Sequence, residues 1–336
     1  MSREENRQQG KPDYLIIFVV LTLLTTGLIM IVSASSVRSY NVYGDSFYFF
    51  KHQLVWAILG IILMFVLMNL DYHLYQKYAR VILLITIVSL ILVLVPGIGR
   101  MAGGSRRWIT LGPMQLQPSE IGKIGVVIYL AGFFAGKKEK KYSFYRGVLP
   151  PLIVMGIIFG LIIMEPDLGT AVSLAGIFFI IMFVSGVRLL HLAGLTLLSL
   201  PVVGYFIMSE NYRRQRLLAF LNPWSDPLDS GYHIIQSLLA LGSGGIFGVG
   251  LGNSRQKFLY LPEPGTDFIF AVLGEELGLV GTAFIVGLYF VLAWRGIKIS
   301  LSVPDDFGSI LAIGLTMMVV IQAIVNIGVV TASLPI

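Results

Sequence analysis

Residues 260–281 read YLPEPGTDFIFAVLGEELGLVG, and this stretch decides how the chain is organised. A polar segment becomes an apolar helix here, and the stretch contains four acidic residues, namely Glu263, Asp267, Glu275 and Glu276. Pro262 and Pro264 end the preceding structure. Thr266 or Asp267 can then cap the new helix, because a short side-chain oxygen satisfies its free N–H groups. The pattern places a carboxylate at the rim of a membrane, where ionised groups are costly and usually functional.

The composition indicates an integral membrane protein. Of 336 residues, 56% are hydrophobic and only 12% are charged, whereas soluble domains carry about 25% charged residues. Cysteine is absent, which excludes disulfides, thiolate metal sites and cysteine nucleophiles. The four histidines are scattered and lack a metal-binding spacing such as HExxH. In a membrane protein the net charge of +6 does not indicate nucleic-acid binding, and we expect none.

Nine stretches are long and apolar enough to be membrane spans, each of which needs about 20 mostly apolar residues. They cover roughly residues 14–34, 50–70, 80–97, 119–136, 147–164, 168–186, 189–208, 267–294 and 307–331. Most Lys and Arg residues of the short connections lie on the cytoplasmic side if the N-terminus is cytoplasmic. The positive-inside rule therefore predicts a cytoplasmic tail, residues 1–13, and assigns the basic run Lys137–Lys141 to cytoplasmic anchoring.

Two segments on the predicted outer side are rich in functional residue types. The first, Gly97–Pro118, contains Arg106 and Arg107, whose guanidinium groups suit phosphate oxygens; a flexible loop anchored by Trp108 is the alternative. The second, residues 209–266, is predicted to be a large extracellular loop, and a loop of this length is more often functional than a tether. Its basic residues are Arg213, Arg214, Arg216, Arg255 and Lys257.

The long outer segment also contains a glycine run, Gly242–Gly252, after a short amphipathic helix at Ile234–Leu241. The run resembles a phosphate-binding loop, but it lacks the strand–turn–helix context and the Lys-Ser/Thr of a nucleotide site. A re-entrant or close-packing role is an equally good interpretation.

Charged residues also occur at the edges of the predicted spans. Glu120 and Lys123 are three residues apart, which puts them on one helical face where they can pair. Asp167 lies in the turn Glu165–Thr170 and can simply cap the next helix. Glu120, Lys123, Asp167 and Asp267 lie on the predicted outer side together with the basic residues of the two outer segments. This distribution favours a site open to that face. Such a site would combine basic groups for an anionic ligand with carboxylates for proton transfer or metal binding.

An ordered set of motifs resembles the SEDS family of shape, elongation, division and sporulation proteins, which includes FtsW, RodA and SpoVE. The motifs are Gln117–Glu120 with Lys123, Glu165–Thr170, Asn222–Trp224 with Asp226-Pro227, Gly242–Gly252, Arg255-Gln256, and Leu261–Glu263 with Thr266–Phe270. The motifs extend over essentially the whole chain. The sequence of Tyr232–Ser237 is most similar to the FtsW/SpoVE branch of Gram-positive bacteria. His233 stands where we expect glutamine.

The resemblance implies an all-α, polytopic fold with ten spans and a single transmembrane domain over residues 1–336. This chain is expected to contain nine of the spans and to lack the last helix of the family. The implied activity is that of a peptidoglycan glycosyltransferase, which polymerises lipid II at the outer face of the bacterial cytoplasmic membrane. The implied partner is a class B penicillin-binding protein that crosslinks the new strand.

The resemblance also implies roles for individual residues. The proposed catalytic aspartate of the family falls on Asp267, and its central cavity residues fall on Glu120, Lys123 and Asp167. An acceptor hydroxyl needs a base, for which we propose Asp267. The pyrophosphate leaving group needs positive charge, which the seven basic residues Arg106, Arg107, Arg213, Arg214, Arg216, Arg255 and Lys257 could supply.

A divalent cation, Mg²⁺ or Mn²⁺, could also stabilise the pyrophosphate, with Asp267, Asp167 and Glu120 as candidate ligands; no organic cofactor is expected.

Two other functions are compatible with the same charged residues and membrane spans. A lipid II flippase would need polar groups on both faces of the membrane, since its site must alternate. A non-catalytic scaffold of the cell-wall synthesis complex would tolerate removal of the charges at Asp267 or Lys123.

Overall fold

The computed structural model describes residues 12–102, 105–111, 114–136, 143–257 and 264–335, in which eleven α-helices and one small sheet are formed. Glu263 and the basic run Lys137–Lys141 lie outside these residues. The helices are α1 (Tyr14–Tyr43), α2 (Tyr48–Met68), α3 (His73–Leu94), α4 (Pro118–Phe134), α5 (Leu149–Met164), α6 (Leu168–Val184), α7 (Leu189–Ser209), α8 (Asn211–Leu221), α9 (Tyr232–Gly244), α10 (Ile269–Ser302) and α11 (Asp306–Val330). A π-helical turn, Phe144–Val148, leads into α5, and a 3₁₀ turn, Pro223–Ser225, follows α8.

A helix lies at each of the nine predicted spans. Seven segments are long and apolar enough to cross a membrane, and α6 is apolar but has 17 residues. The helix α4 also has 17 residues and contains the charged Glu120 and Lys123. The protein is therefore a multi-pass membrane protein of predominantly helical fold, while the number of crossings stays a prediction. α1 and α10 extend well beyond their predicted ends, because hydropathy marks only the lipid-exposed part of a helix.

Gly97–Pro118 contains the one β-sheet of the described residues, which the sequence analysis did not predict. The strands β1 (Gly99–Ala102), β2 (Ser105–Leu111) and β3 (Met114–Leu116) form an antiparallel meander in the order β1-β2-β3. Arg100 pairs with Trp108, and Ile109 pairs with Leu116. The sheet packs against α3 and α4, so Arg106 and Arg107 project from a strand and not from a flexible loop.

Two buried clusters hold the helices together. The larger joins α3, α4, α5, α6 and α11 around side chains such as Phe134, Leu174 and Phe307. The second joins α1, α9 and α10 around Met30, Ala240 and Val272. Because α9 belongs to the second cluster, residues 232–257 are part of the packed bundle. The predicted extracellular segment, residues 209–266, is therefore packed in part against the bundle, and its extracellular position stays a prediction.

Candidate active site

Asp267 lies directly before the start of α10 and is exposed. The helix begins at Ile269 with Phe268 at its N-cap position, so the prediction that Thr266 or Asp267 occupies the N-cap was wrong. Phe268 is buried at 4% exposure, and its ring stacks on the His233 ring with centroids 5.8 Å apart and an interplanar angle of 22°. The buried Phe268 thus fixes the backbone beside Asp267, while the carboxylate itself remains accessible.

His233, at the start of α9, connects Asp267 with a basic residue of α8. Burial lowers the pKa of His233, the nearby Arg216 lowers it further, and the negative charge of Asp267 raises it. Both Arg216 and Asp267 are therefore close enough to act on the imidazole. A lowered pKa keeps His233 neutral near pH 7. In the sequence His233 is visible only as a departure from the expected glutamine, since nothing local links it to Asp267.

A cavity of about 580 Å³ lies between α1, α4, α10 and α11. Ile269 and Phe270, the second and third residues after Asp267, are among its lining residues. Its walls are mostly apolar, and its polar lining residues include Glu120, Lys123, Gln322 and Asn326. The cavity therefore extends from the neighbourhood of Asp267 to a charged group at the start of α4.

The predicted pairing of Glu120 with Lys123 is confirmed. The Lys123 ammonium lies 2.9 Å and 2.8 Å from the two carboxylate oxygens of Glu120 and donates to the Gln322 side-chain oxygen at 2.6 Å. Lys123 is buried at 2% exposure. A buried ammonium requires such compensation, because an unpaired charge would be destabilising inside a bundle.

Asp167 caps α6, which was the simpler of the two interpretations of its sequence position. One carboxylate oxygen accepts from the Thr170 N–H at 3.2 Å, and the other accepts from the Thr170 hydroxyl at 2.9 Å and the Gln117 amide at 3.0 Å. The Arg107 guanidinium lies 3.9 Å from the same carboxylate. Asp167 thus ties β2, α4 and α6 together and is only 7% exposed.

Glu165, in the same turn, was not among the predicted site residues. Its carboxyl group is fully buried, and neither oxygen has a hydrogen-bond partner among the residues that the structure describes. Burial raises the pKa of Glu165 to about 8; the charge of Asp167 also raises it, and Arg107 opposes the shift. At neutral pH this group is therefore mostly a neutral carboxylic acid. Sequence alone offered no signal, because a glutamate in a turn is normally solvated.

The predicted pyrophosphate ligands occupy three separate places. Arg107 on β2 donates to the backbone carbonyls of Glu165 and Pro166, and Arg106 lies beside it on the strand. The α8 group comprises Arg213, Arg214 and Arg216, of which Arg213 bonds the Phe206 carbonyl at 3.1 Å. Arg255 is exposed in the segment after the glycine run.

Lys257 differs from the other predicted phosphate ligands because it is buried at 5% exposure. Its ammonium lies 3.4 Å from a Glu276 carboxylate oxygen and donates to the Gly252 carbonyl. An ammonium already bonded to a buried carboxylate is poorly placed to meet a substrate, which makes Lys257 the least accessible of the predicted pyrophosphate ligands.

The glycine segment, residues 242–252, packs against a break in α10. Gly278 interrupts the helix with φ 66° and ψ −164°. The break frees the carbonyls of Glu275 and Glu276, which accept from Val249 and Gly250 N–H groups at 3.0 Å each. It also frees the N–H groups of residues 279 and 280, which donate to the Gly245 and Ile246 carbonyls at 2.9 Å and 3.1 Å. The segment pairs with a broken helix, so the amides of Val249 and Gly250 are occupied, which favours close packing over a phosphate-binding loop.

Among the residues that the structure describes, no three His, Asp or Glu side chains are grouped to hold a metal ion. Asp267, Asp167 and Glu120 accordingly do not form a protein-only metal site. Mg²⁺ is usually bound by one or two carboxylates together with substrate phosphates. Binding of that kind does not need three carboxylate or histidine side chains grouped together.

Comparisons with known proteins agree with these features. The sequence model of a family described as cell cycle proteins, covering FtsW, RodA and SpoVE, matches residues 13–336. The chain is 46% identical to stage V sporulation protein E of Bacillus subtilis, over 98% of this chain and 90% of that protein. It is 42% identical to a probable peptidoglycan glycosyltransferase FtsW of Geobacter metallireducens, over 96% of this chain and 86% of the relative.

A solved structure of a peptidoglycan synthase complex, in which polymerization and crosslinking are coordinated, contains a chain of similar fold. The TM-score is 0.78 at 28% identity, covering 96% of this chain and 88% of the other. The matched lengths, the helical bundle and the ordered motifs lead to the same conclusion: the chain belongs to the FtsW/RodA/SpoVE family of membrane proteins, the SEDS family.

Proposed function

We propose that this protein is a peptidoglycan glycosyltransferase that polymerises lipid II into glycan strands. The observation that carries the proposal is the accessible Asp267 carboxylate two residues before the lining of a membrane cavity that contains the Glu120–Lys123 pair. A lipid-linked sugar needs both environments, because its polyprenyl chain is apolar while its pyrophosphate and sugars are polar. The names of relatives such as the probable glycosyltransferase FtsW support the same activity.

Asp267 is proposed as the general base. In the reaction an acceptor hydroxyl loses its proton to the base, its oxygen bonds the anomeric carbon, and the bond from that carbon to pyrophosphate breaks. An alcohol is a weak nucleophile near pH 7, so a positioned carboxylate accelerates the attack. The exposure of Asp267 and the rigid packing of Phe268 beside it suit a group that must meet a substrate in a fixed orientation.

The leaving pyrophosphate takes up the bonding electron pair and is stabilised by positive charge. Arg216 is the strongest candidate among the predicted basic residues, since its charge acts on the His233 ring next to Asp267. Arg106, Arg107, Arg213, Arg214 and Arg255 remain secondary candidates. A bound Mg²⁺ or Mn²⁺ would neutralise the pyrophosphate oxygens, and substrate oxygens would supply most of its ligands.

We propose that the N-terminus is cytoplasmic and that the site opens to the outer face of the bacterial cytoplasmic membrane. The distribution of Lys and Arg supports this orientation. Asp13 binds Arg295 and Tyr72 binds Asp305, so the starts of α1, α3 and α11 and the end of α10 share one end of the bundle, opposite Asp267. A class B penicillin-binding protein is the proposed partner, which would crosslink the strands at the same face.

Reconstitution with fluorescent lipid II tests the function. Purified protein in vesicles, with and without the partner and divalent cations, should give a ladder of glycan products on a gel. Exchange of lipid II between leaflets without a ladder would instead identify a flippase. No ladder with the partner present, together with no exchange, would identify a scaffold. Omitting the cation in a matched reaction shows whether polymerisation needs it.

A further inference from the structure

The break at Gly278 isolates a short first part of α10, residues 269–277, which we call the leading segment. It begins two residues after Asp267 and ends just before Gly278, the residue with φ 66°. A broken helix does not transmit the orientation of one half to the other, because the backbone hydrogen bonds across the break are absent. The direction of Asp267 therefore depends on what else holds the leading segment.

Two buried carboxylates of the leading segment bind the residues that follow the glycine segment. Glu275 accepts from the Arg255 N–H at 2.9 Å and from the Ser254 hydroxyl. Glu276, which is fully buried, accepts from the Ser254 N–H at 3.3 Å. The two adjacent glutamates thus fasten one short stretch, residues 254–257, against the leading segment.

Glu276 also binds α1 and the buried Lys257. The Ser33 hydroxyl of α1 lies 2.6 Å and 2.8 Å from the two carboxylate oxygens, and the Lys257 ammonium lies 3.4 Å from one of them. The same ammonium lies 3.5 Å from the Ser33 hydroxyl. One carboxylate therefore joins three parts of the chain, namely α1, the stretch after the glycine segment and the leading segment.

A second contact with α1 lies on the other side of Asp267. A Cβ placed on Gly265 would lie 3.1 Å from the Ser35 Cβ, so the backbone just before Asp267 rests on α1. Ser33 and Ser35 thus hold α1 against both sides of the position that carries the proposed base. The contacts around Glu276 have no direct access to substrate, since Glu276 and Lys257 are 0% and 5% exposed.

We propose that Glu276 and Lys257 are a positioning pair, which fixes the leading segment and thereby the direction of the Asp267 carboxylate, and that neither residue contacts substrate. The proposal rests on the proposed function of Asp267. It makes Lys257 the counter-ion of Glu276, and it predicts that the pair can be replaced by two neutral side chains. Removing one partner leaves the other as an uncompensated buried charge, whereas removing both leaves none.

A double-mutant cycle tests the pair with Lys257→Met, Glu276→Gln and the combination of both. Each single variant is expected to lower kcat by about 100-fold, as small misplacements of a catalytic group do. The KM for lipid II should change little, because neither residue contacts substrate. The melting temperature of the purified protein should fall in each single variant. The double variant should recover most of both losses.

The exposed pair of Lys51 and Asp45 supplies a matched control, since its ammonium lies 2.7 Å from the carboxylate and its side chains are 65% and 37% exposed. Lys51→Met removes the same charge and should leave kcat and the melting temperature unchanged.

A stable double variant that polymerises no better than Lys257→Met would overturn the proposal, because it would show that the lysine charge itself is needed by the substrate. Additive losses of melting temperature would also overturn it. If the wild-type protein made no polymer, the proposed function would fail, while the four melting temperatures would still decide whether the two residues are paired.

Discussion

Gly278→Ala is expected to disrupt the break in α10 and, with it, polymerisation. A Cβ at this position would lie 2.4 Å from the Gly248 nitrogen and 2.5 Å from the Ile246 oxygen, which are both backbone atoms. The conformation, with φ 66° and ψ −164°, is essentially restricted to glycine and costs other residues about 1–3 kcal/mol. Relief of the clash must also weaken some of the four hydrogen bonds that join the two sides of the break to the glycine segment, at about 1 kcal/mol each.

The expected loss is therefore about 3 kcal/mol or more, which corresponds to a fall in melting temperature of roughly 4 °C or more. Thermal unfolding in detergent measures this value, and a gel of lipid II products measures activity. Gly287→Ala in the same helix is the matched control, because its new Cβ would meet no atom within 4 Å. Alanine there should be neutral or stabilising by up to about 1 kcal/mol. Equal stability of the two variants would refute the reasoning.

Three further predictions concern the site. In the folded protein the Glu165 carboxyl keeps its proton up to about pH 8, whereas in the unfolded chain it ionises near pH 4.5. The free energy of unfolding should therefore fall as the pH rises between these two values. Glu165→Gln should abolish this fall and raise the melting temperature at pH 8 more than at pH 5; an equal effect at both values would contradict it. Glu120→Gln should leave the buried Lys123 ammonium without its carboxylate partner, lower the melting temperature and reduce polymerisation, whereas Glu120→Gln with Lys123→Met should regain stability, measured by thermal unfolding. Protonation of His233 would place a positive charge near Asp267 and weaken it as a base, so His233→Gln should lessen the loss of activity on acidification. A pH–rate profile below pH 6.5 checks this, and an unchanged profile would exclude His233 from that limb.

The helices of the bundle were predictable because hydropathy is a local property. Each of the nine apolar stretches coincides with a helix, and the spacing of Glu120 and Lys123 was enough to predict their pairing. The cap at Asp167 was also visible, since it depends on residues only three positions away.

The features that the sequence did not reveal depend on contacts between distant parts of the chain. Gly278 looks like a tolerated glycine in a helix, and only its contact with Gly248 and Ile246 explains the break. Lys257 looks like a solvated loop residue, but its environment is set by Glu276 and by Ser33, which is 224 positions away. The link from Asp267 through His233 to Arg216 likewise joins three separate elements.

The central claim is that Asp267 removes the proton from the acceptor hydroxyl. Asp267→Asn keeps the size of the side chain and one acceptor oxygen, but the amide cannot take up that proton. Asp229→Asn, at an exposed position between α8 and α9, is the control. Polymerisation of fluorescent lipid II by the two purified variants is the most direct measurement. Asp267→Asn is expected to give no ladder while lipid II binding is retained, and Asp229→Asn is expected to give a normal ladder. A ladder from Asp267→Asn would contradict the central claim.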